Sequence, residues 1–311
     1  MKRQIIDTIE RYNTIIIHRH VRPDPDAYGS QLGLKTLIQD NYPDKRVFAA
    51  GDHEFSLDYL GRPDEVSAQL YEGALVIVTD TANTERIDGS HYSEGAELIK
   101  IDHHPDDDRY GMMRWVEPEA SATSELIYRL FKEGEQSSGW KMSADAARLL
   151  YAGIIGDTGR FLHPSAGPGT FLAAAELVSH GFDRPSLHNA MYEMDMPLLK
   201  LNGYILQNLN VDNGVGVVKI TSETMDEFGV TASDTAKLVG VPGAVKGLIA
   251  WVFLIEEEDQ IRLRFRSKGP VVNGLARRFG GGGHALAAGA SAADWAEAER
   301  AAQALRELCS K

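Results

Sequence analysis

Short aliphatic and β-branched runs alternate with amphipathic segments through the first half of the chain. Runs of about five apolar residues predict buried strands, and apolar residues at helical spacing predict helices. The predicted strands are 14–18, 46–50, 74–79 and 97–101, and the predicted helices are 30–40, 122–132 and 144–155. Because strands that alternate with helices favour a parallel sheet with covered faces, we expect an α/β domain here.

The pattern changes in the second half. Helices are predicted at 170–180 and 197–209, strands at 215–221, 248–256 and 260–267, and a last helix at 294–308. Strands that follow one another without long helices between them indicate a smaller α/β domain with a mixed sheet. We expect a domain of residues 1–190, a helical linker of residues 191–212 and a second domain of residues 213–311.

Composition and charge exclude several classes of protein. Hydrophobic residues make up 43% of the 311 residues, and no run approaches the roughly 18 apolar residues of a membrane span. The single cysteine, Cys309, cannot form an intrachain disulfide, and the charged N-terminus is unlike a secretory signal, so we expect a cytoplasmic protein with no membrane partner. The formal net charge of −13 disfavours a protein that coats long duplex nucleic acid.

Acids and histidines cluster where the predicted elements end. The clusters are His20, Asp24 and Asp26 after the first strand, Asp80 after the strand at 74–79, Asp102, His103 and His104 after the strand at 97–101, and Asp157 just past the helix at 144–155. Ligands of open α/β sheets bind outside the carboxyl ends of the strands. We therefore expect these residues to converge in one cleft.

Such a cluster favours divalent cations. Carboxylates packed together repel one another unless cations neutralise them, and mixed carboxylate and imidazole ligands suit Mn²⁺ better than Ca²⁺. Six ligands suit two ions that share a carboxylate, roughly 3.5–4 Å apart, an arrangement that activates water and clamps a phosphoryl oxygen. Taken singly, Asp26 could instead cap the helix that follows it, and Asp80 could be a turn residue. The acids Asp106–Asp108 are expected to form a solvated turn.

The ordered motifs His-x-x-x-Asp-x-Asp, strand-ending Asp and Asp-His-His resemble the DHH phosphoesterase superfamily, which includes family II inorganic pyrophosphatases, RecJ-type exonucleases and a nanoRNase/pAp-phosphatase group. The resemblance implies a Rossmann-like domain that binds two divalent cations, Mn²⁺ with Mg²⁺ or Co²⁺ as alternatives. It implies one ion held by His20, Asp24 and Asp80, and another held by Asp26, Asp80, His103 and Asp157, with Asp80 bridging them. It also implies that His104 contacts the scissile phosphate or donates a proton, while Asp102 orients a histidine.

A basic, glycine-rich segment follows in the second domain. The window 260–280 contains six basic residues and no acid. On a strand, Arg262, Arg264 and Arg266 would share one face, where guanidinium groups match phosphate oxygens, although a solvated outer face is an equal alternative. The run Gly280–Gly283 with His284 could curl around an anion before a predicted helix, or act as a hinge.

This segment resembles the DHH-associated C-terminal domain, whose signature is a glycine run and histidine followed by Ala-Ala-Gly. The resemblance implies a substrate-binding face in which Arg264 and Arg266 are favoured over Arg262. The candidate substrate-binding residues are Arg264, Arg266, Ser267, Asn273, Gly282, Gly283 and His284.

Together these features predict a metal-dependent phosphodiesterase with its active site in the cleft between the domains. We expect it to degrade short single-stranded oligoribonucleotides to nucleoside 5′-monophosphates and to remove the 3′-phosphate of pAp. The alternatives are a pApA or cyclic-dinucleotide phosphodiesterase, an inorganic pyrophosphatase, a RecJ-like DNA exonuclease and a nucleotide-binding sensor without activity. A homodimer is left open.

Overall fold

The structure is a computed structural model that describes residues 1–310. The described chain divides into two compact units, Met1–Met191 and a second unit that begins at Tyr192. Among the described residues, none of the helices is both long enough and apolar enough to cross a membrane.

The first unit is built around a five-stranded parallel sheet. Its strands are β1 (Thr14–His18), β2 (Arg46–Ala49), β3 (Leu75–Thr79), β4 (Glu97–Asp102) and β5 (Met113–Val116). Its helices are α1 (Lys2–Arg11), α2 (Pro25–Asn41), α3 (Thr123–Ser138), α4 (Ala144–Asp157), α5 (Pro168–Ser179) and α6 (Arg184–Tyr192), which ends at the boundary between the units. The strands lie in the order β2-β1-β3-β4-β5, and every neighbouring pair is parallel. The predicted parallel α/β architecture is confirmed.

Burial explains why these segments form a covered sheet. All five residues of β3 are buried, as expected for a central strand of a parallel sheet with both faces covered. The apolar side of α1 carries Ile5, Ile6 and Ile9, each with no exposed surface. Such one-sided helices pack on the sheet through a single apolar stripe.

Among the elements of this unit that differ from the prediction are α2 and β5. Helix α2 begins at Pro25 rather than at residue 30, because Asp24 caps it and proline is well suited to the first helical turn. Strand β5 was not predicted at all. It is a short edge strand in which only Trp115 is buried, so its sequence contains no apolar run.

The second unit contains a mixed six-stranded sheet. Its strands are β6 (Asn210–Asp212), β7 (Val215–Ile220), β8 (Ala250–Glu256), β9 (Ile261–Ser267), β10 (Gly282–Gly283) and β11 (Ala287–Ala292). Its helices are α7 (Met196–Asn208), α8 (Ser222–Phe228), α9 (Asn273–Arg277) and α10 (Trp295–Cys309). The order is β10-β11-β9-β8-β7-β6, in which β7 and β8 are parallel and the other pairs are antiparallel. The predicted mixed sheet is confirmed.

Strand β8 supplies side chains to both faces of this sheet. Val252 and Leu254 pack in a core with Ala301 and Leu305 of α10. Phe253 lies on the opposite face, in a second core that includes residues of α7 and α8. Burial on both sides accounts for the continuous apolar sequence of this strand.

The glycine run does not precede a helix, so that prediction was wrong. Gly282 and Gly283 form β10, which pairs antiparallel with β11. The backbones approach so closely that a Cβ atom at Gly281 would lie 2.0 Å from the carbonyl oxygen of Gly289. Glycine is therefore required for hairpin packing, and the alanines that follow form the neighbouring strand instead of a helix.

Candidate active site

The parallel topology brings the predicted acids and histidines together in the first unit. Strands β1, β3 and β4 are adjacent in the sheet, so the residues that follow them meet at one edge. His20 follows β1, Asp80 follows β3, and His103 follows β4. Asp157 joins them as the last residue of α4, rather than lying past the helix as expected.

Asp80 lies at the centre of this cluster. Only 2% of its surface is exposed, and its Oδ2 lies 3.5 Å from Nε2 of His20. Its other oxygen, Oδ1, lies 3.5 Å from Nε2 of His103 and 3.6 Å from Nδ1 of His104. The backbone of Asp80 is left-handed, with φ of 53°, a conformation that non-glycine residues rarely adopt outside functional or turn positions.

Two further carboxylates are fixed by helix N-termini. Asp24 caps α2 by accepting hydrogen bonds from the backbone N–H groups of Asp26 and Ala27, and its Oδ2 lies 3.8 Å from Nε2 of His20. Asp26 is fully buried and accepts from the backbone N–H of Thr123 at 2.7 Å and of Ser124 at 2.9 Å. Asp26 therefore binds the start of α3, and the alternative that it caps its own helix is wrong.

Both buried histidines present Nε2 to the acids. Nδ1 of His20 donates to the carbonyl oxygen of Val21 at 2.9 Å, and Nδ1 of His103 donates to that of Ala120 at 3.2 Å. Nε2 of His103 lies 3.0 Å from Oδ2 of Asp157. Backbone bonds at Nδ1 fix the orientation of each ring, as in histidines that bind metals through Nε2.

The electrostatics of the cluster call for positive charge among the carboxylates. Burial and the charges of Asp80 and Asp157 raise the pKa of Asp26 well above its usual range. Burial lowers the pKa of His20, but hydrogen bonding and charge from Asp24 and Asp80 outweigh it and raise the pKa to about 10. Protons on the histidines, or cations in their place, would relieve the repulsion.

The donor set fits a metal centre. Within the first unit, three groups of residues place one potential ligand atom each within 4.8 Å of one another, and each of these groups contains Asp80. The groups are His20, Asp24 and Asp80; Asp26, Asp80 and His103; and Asp80, Asp102 and His104. Carboxylate oxygens combined with imidazole nitrogens suit divalent first-row metals, so these residues can hold metal ions.

Asp102 and His104 form a hydrogen-bonded pair beside Asp80. Oδ1 of Asp102 accepts from Nδ1 of His104 at 2.8 Å and from its backbone N–H at 3.2 Å. Asp102 is fully buried, yet the hydrogen bond and charge of His104 outweigh burial and lower its pKa. An ionised carboxylate therefore fixes both the orientation and the tautomer of the imidazole.

Thr123 and Lys100 also touch this cluster, although neither was predicted from the sequence. Oγ1 of Thr123 donates to Oδ1 of Asp80 at 2.9 Å. Nζ of Lys100, a fully buried residue, lies 3.6 Å from Oδ2 of Asp102. Two features of the sequence could have indicated them. Thr123 is a hydroxyl residue at the start of a predicted helix, and Lys100 is an ionisable residue inside an otherwise apolar strand.

The acids after the Asp-His-His motif match the predicted solvated turn only at Asp107, which is exposed, whereas Asp106 and Asp108 are half-buried. Oδ2 of Asp108 accepts from the backbone N–H and from Oγ1 of Thr84, both at 2.8 Å. Asp106 pairs with Lys100 at 3.5 Å and with Arg114 at 3.3 Å. These side chains fix the loop because they face buried or half-buried partners rather than water.

The second unit carries the predicted arginines on one strand. Arg262, Arg264 and Arg266 alternate along β9 with buried apolar residues and are themselves half-buried. Arg262 is engaged by both carboxylate oxygens of Glu257, at 2.9 and 3.0 Å. Burial and the charge of Arg264 lower the pKa of Arg266 to about 10. An anion beside these two guanidinium groups would relieve their repulsion.

The remaining predicted substrate residues lie on neighbouring elements of this unit. Ser267 ends β9, and its Oγ accepts from the backbone N–H of Gly269 at 3.0 Å. Asn273 is the first residue of α9. Gly282 and Gly283 form β10, and His284 follows in the turn, where its backbone N–H bonds to the carbonyl of Ala287.

Comparison with known proteins gives matches over both units. Residues 14–154 match the model of the DHH family, N-terminal domain, and residues 212–311 match that of the DHHA1 domain. The chain is 54% identical to a Bacillus subtilis protein named bifunctional oligoribonuclease and PAP phosphatase NrnA, over 99% of each chain. It is 45% identical to a Streptococcus mutans protein with that name marked probable, over 98% of this chain and 97% of the other.

A solved structure has the same fold. The crystal structure of an exopolyphosphatase-related protein from Bacteroides fragilis superposes with a TM-score of 0.89 and 26% identity, covering 100% of this chain and 97% of that one. Similarity of this extent covers the sheets and helices of both units. With the two domain matches and the close full-length relatives, it shows that the chain belongs to the DHH family of phosphoesterases.

Proposed function

We propose that this protein hydrolyses short single-stranded oligoribonucleotides to nucleoside 5′-monophosphates and also removes the 3′-phosphate of pAp. The observation that carries the proposal is the cluster of acids and histidines around Asp80. It occurs in a chain that is 54% identical to a relative named oligoribonuclease and PAP phosphatase. The formal net charge of −13 supports short substrates over long duplexes, which basic proteins bind.

The proposed metal centre is a pair of divalent cations, with Mn²⁺ the preferred ion. The first ion is assigned to His20, Asp24 and Asp80, and the second to Asp26, Asp80, His103 and Asp157. When bound, such a pair activates water and neutralises charge on the phosphoryl group. Asp80 suits the shared position because its two oxygens face different histidines, His20 and His103.

His104 is the proposed proton donor to the leaving oxygen. Its Nδ1 is committed to Asp102 at 2.8 Å, so we assign the transferred proton to Nε2. Asp102 keeps the ring oriented, and a positioned acid of this kind contributes about 10²–10⁴-fold to a rate. Asp102 acts through His104 and is therefore a positioning residue.

The proposed roles of the domains follow from these residues. Residues 1–190 would carry catalysis, residues 191–212 would link, and residues 213–311 would bind the nucleotide. Arg264 and Arg266 are preferred for phosphate recognition because Arg262 is already paired with Glu257. The other proposed contacts are Ser267, Asn273, Gly282, Gly283 and His284.

A hydrolysis assay tests the proposal directly. The purified chain, loaded with Mn²⁺, is incubated with short oligoribonucleotides, pAp, pApA, a cyclic dinucleotide and pyrophosphate. We expect mononucleotides from the oligoribonucleotides and AMP from pAp, with pyrophosphate left intact. The Asp80→Asn variant should lose turnover, whereas Asp58→Asn, which alters an exposed acid, should keep it. Intact oligoribonucleotides and pAp, or preferential cleavage of pyrophosphate, would overturn the proposal.

A further inference from the structure

We infer that Lys100 is a positioning residue of the active site, acting through the Asp102 carboxylate and the loop that follows Asp80. The inference rests on the proposed role of His104. The proposed metal and proton-transfer roles do not use this lysine, although it is fully buried beside them.

The first link is the carboxylate between Lys100 and His104. Lys100 and Asp102 are two residues apart on β4, so their side chains project from the same face. Nζ of Lys100 lies 3.6 Å from Oδ2 of Asp102, while Oδ1 of the same carboxylate bonds Nδ1 of His104 at 2.8 Å. The imidazole thus hydrogen-bonds one oxygen of this buried carboxylate, and the ammonium group forms an ion pair with the other.

The second link is to the backbone of two active-site loops. Nζ of Lys100 donates to the carbonyl oxygen of Ala82 at 2.8 Å and to that of Asp108 at 3.2 Å. Ala82 is two residues beyond Asp80, whose left-handed backbone needs support from its surroundings. One side chain therefore joins the loop after β3 to the loop after β4.

The burial of Lys100 is not explained by stability alone. An ammonium group out of water is unfavourable unless it is paired, and a well-packed apolar residue often replaces a buried ion pair without loss. The neighbouring strand residues Ile99 and Ile101 are apolar and buried. Asp102 and Asp106 supply the pairing charges, and the Tyr110 ring lies 4.6 Å from Nζ. The buried ammonium group of Lys100 is best explained by the carboxylate and the loop carbonyls that it holds in place.

Removing the ammonium group should loosen His104 more than it weakens substrate binding. In Lys100→Met, the Asp102 carboxylate keeps its bond to His104 but loses its fixed partner on the other oxygen. We expect kcat to fall about 10- to 100-fold, as for other supporting residues around metal sites, with KM little changed. A loss confined to KM would contradict a role in positioning His104.

Lys45→Met is the matched control. Nζ of Lys45 also donates to two backbone carbonyls, those of Glu10 and Tyr12, and also lies over a tyrosine ring, that of Tyr42. None of these partners belongs to the candidate active site. We expect Lys45→Met to affect thermal stability but to leave kcat at the level of the unmodified protein. An equal loss of kcat in Lys100→Met and Lys45→Met would show that Lys100 has only a structural role, which would contradict the inference.

A spectroscopic measurement tests the inference without turnover. In metal-free protein, the hydrogen-bonded ring N–H of His104 should give a downfield proton signal, assigned by its absence in His104→Ala. We expect Lys100→Met to shift or broaden this signal and Lys45→Met to leave it unchanged. An unaltered signal in Lys100→Met would overturn the inference. If the unmodified protein cleaves no oligoribonucleotide, the proposed function fails, whereas this signal still reports on Lys100.

A double-mutant cycle identifies the route by which Lys100 acts. If it acts through His104, Lys100→Met should add little further loss of kcat in a His104→Ala background. Fully additive losses would contradict the proposed route.

Should Lys100→Met fail to fold, Lys100→Gln replaces it in the kinetic and the spectroscopic measurements. Glutamine retains a donor for a carbonyl while removing the charge. Native kcat together with a native signal in Lys100→Gln would likewise overturn the inference.

Discussion

Thr123 donates a hydrogen bond of 2.9 Å from Oγ1 to Oδ1 of Asp80, the carboxylate that lies at the centre of the cluster of acids and histidines. Its backbone N–H also donates to Asp26, at 2.7 Å. The first residue of α3 thus holds two acids that lie far from it in the sequence. Supporting contacts of this kind orient metal ligands and tune their basicity.

Replacing Thr123 by valine should lower activity without unfolding the protein. Thr123→Val keeps the shape and the backbone N–H but removes the hydroxyl, so we expect kcat/KM to fall about 10-fold or more. Thr123→Ser should largely restore it. Steady-state kinetics check this, with Thr231→Val as a control, since Thr231 is exposed and its hydroxyl bonds Asp234 in the second unit. Native kinetics in Thr123→Val would show that the contact does not matter.

Gly153 is expected to tolerate no side chain. A Cβ atom there would lie 2.0 Å from Oγ of Ser124 and 2.6 Å from Oδ1 of Asp26. Gly153→Ala should therefore displace Asp26, weaken Mn²⁺ binding measured by calorimetry and destabilise the fold by about 1–3 kcal/mol. Gly169→Ala is the control, because nothing lies within 4 Å of that position in helix α5. Equal Mn²⁺ affinities for the two variants would contradict the steric argument.

His18 should make the stability of the protein depend on pH. It is fully buried, its Nδ1 donates to the carbonyl of Asp88 at 2.7 Å, and its Nε2 accepts from the hydroxyl of Tyr71 at 2.9 Å. Both bonds suit the neutral ring, and burial lowers the pKa of His18 below its usual value of 6.5. The unfolded state then binds more protons, so this contribution is complete above that value and is lost as the pH falls below it.

Urea unfolding at pH 7.5 and pH 5 measures this effect. The free energy of unfolding should drop between the two pH values by less in His18→Gln than in the unmodified protein. His91→Gln serves as the control, since the His91 side chain is partly exposed and bonds Glu94. An identical pH dependence in all three proteins would show that His18 does not contribute.

Removal of metal should destabilise the first unit. Without cations, the buried carboxylates of Asp26 and Asp80 repel each other, and burial together with this repulsion raises the pKa of Asp26. Mn²⁺ added to chelator-treated protein should raise the free energy of unfolding by about 2.7 kcal/mol at a concentration of about 100 Kd. The melting temperature reports the change, and Asp80→Asn should show a smaller shift. A melting temperature that does not respond to Mn²⁺ would contradict the metal assignment.

The sequence by itself determined the succession of most strands and helices along the chain. It also determined which reactive side chains follow the strands. The runs at β1 and β3 are apolar and local, and the residues that follow them, such as His20 and Asp80, end up at the carboxyl edge of any parallel sheet. The alternation of arginines with apolar residues in β9 is likewise a local pattern with a period of two.

Only the tertiary structure decided how these side chains are supported. Asp26 binds the N-terminus of α3 across 97 positions of sequence, and the glycine run becomes a hairpin because it packs closely against Gly289 and Ala290. Lys100 joins two loops through carbonyl groups that every residue possesses. Contacts between distant backbone groups leave no local pattern, because any sequence offers the same N–H and C=O groups and only folding brings particular ones within hydrogen-bonding distance.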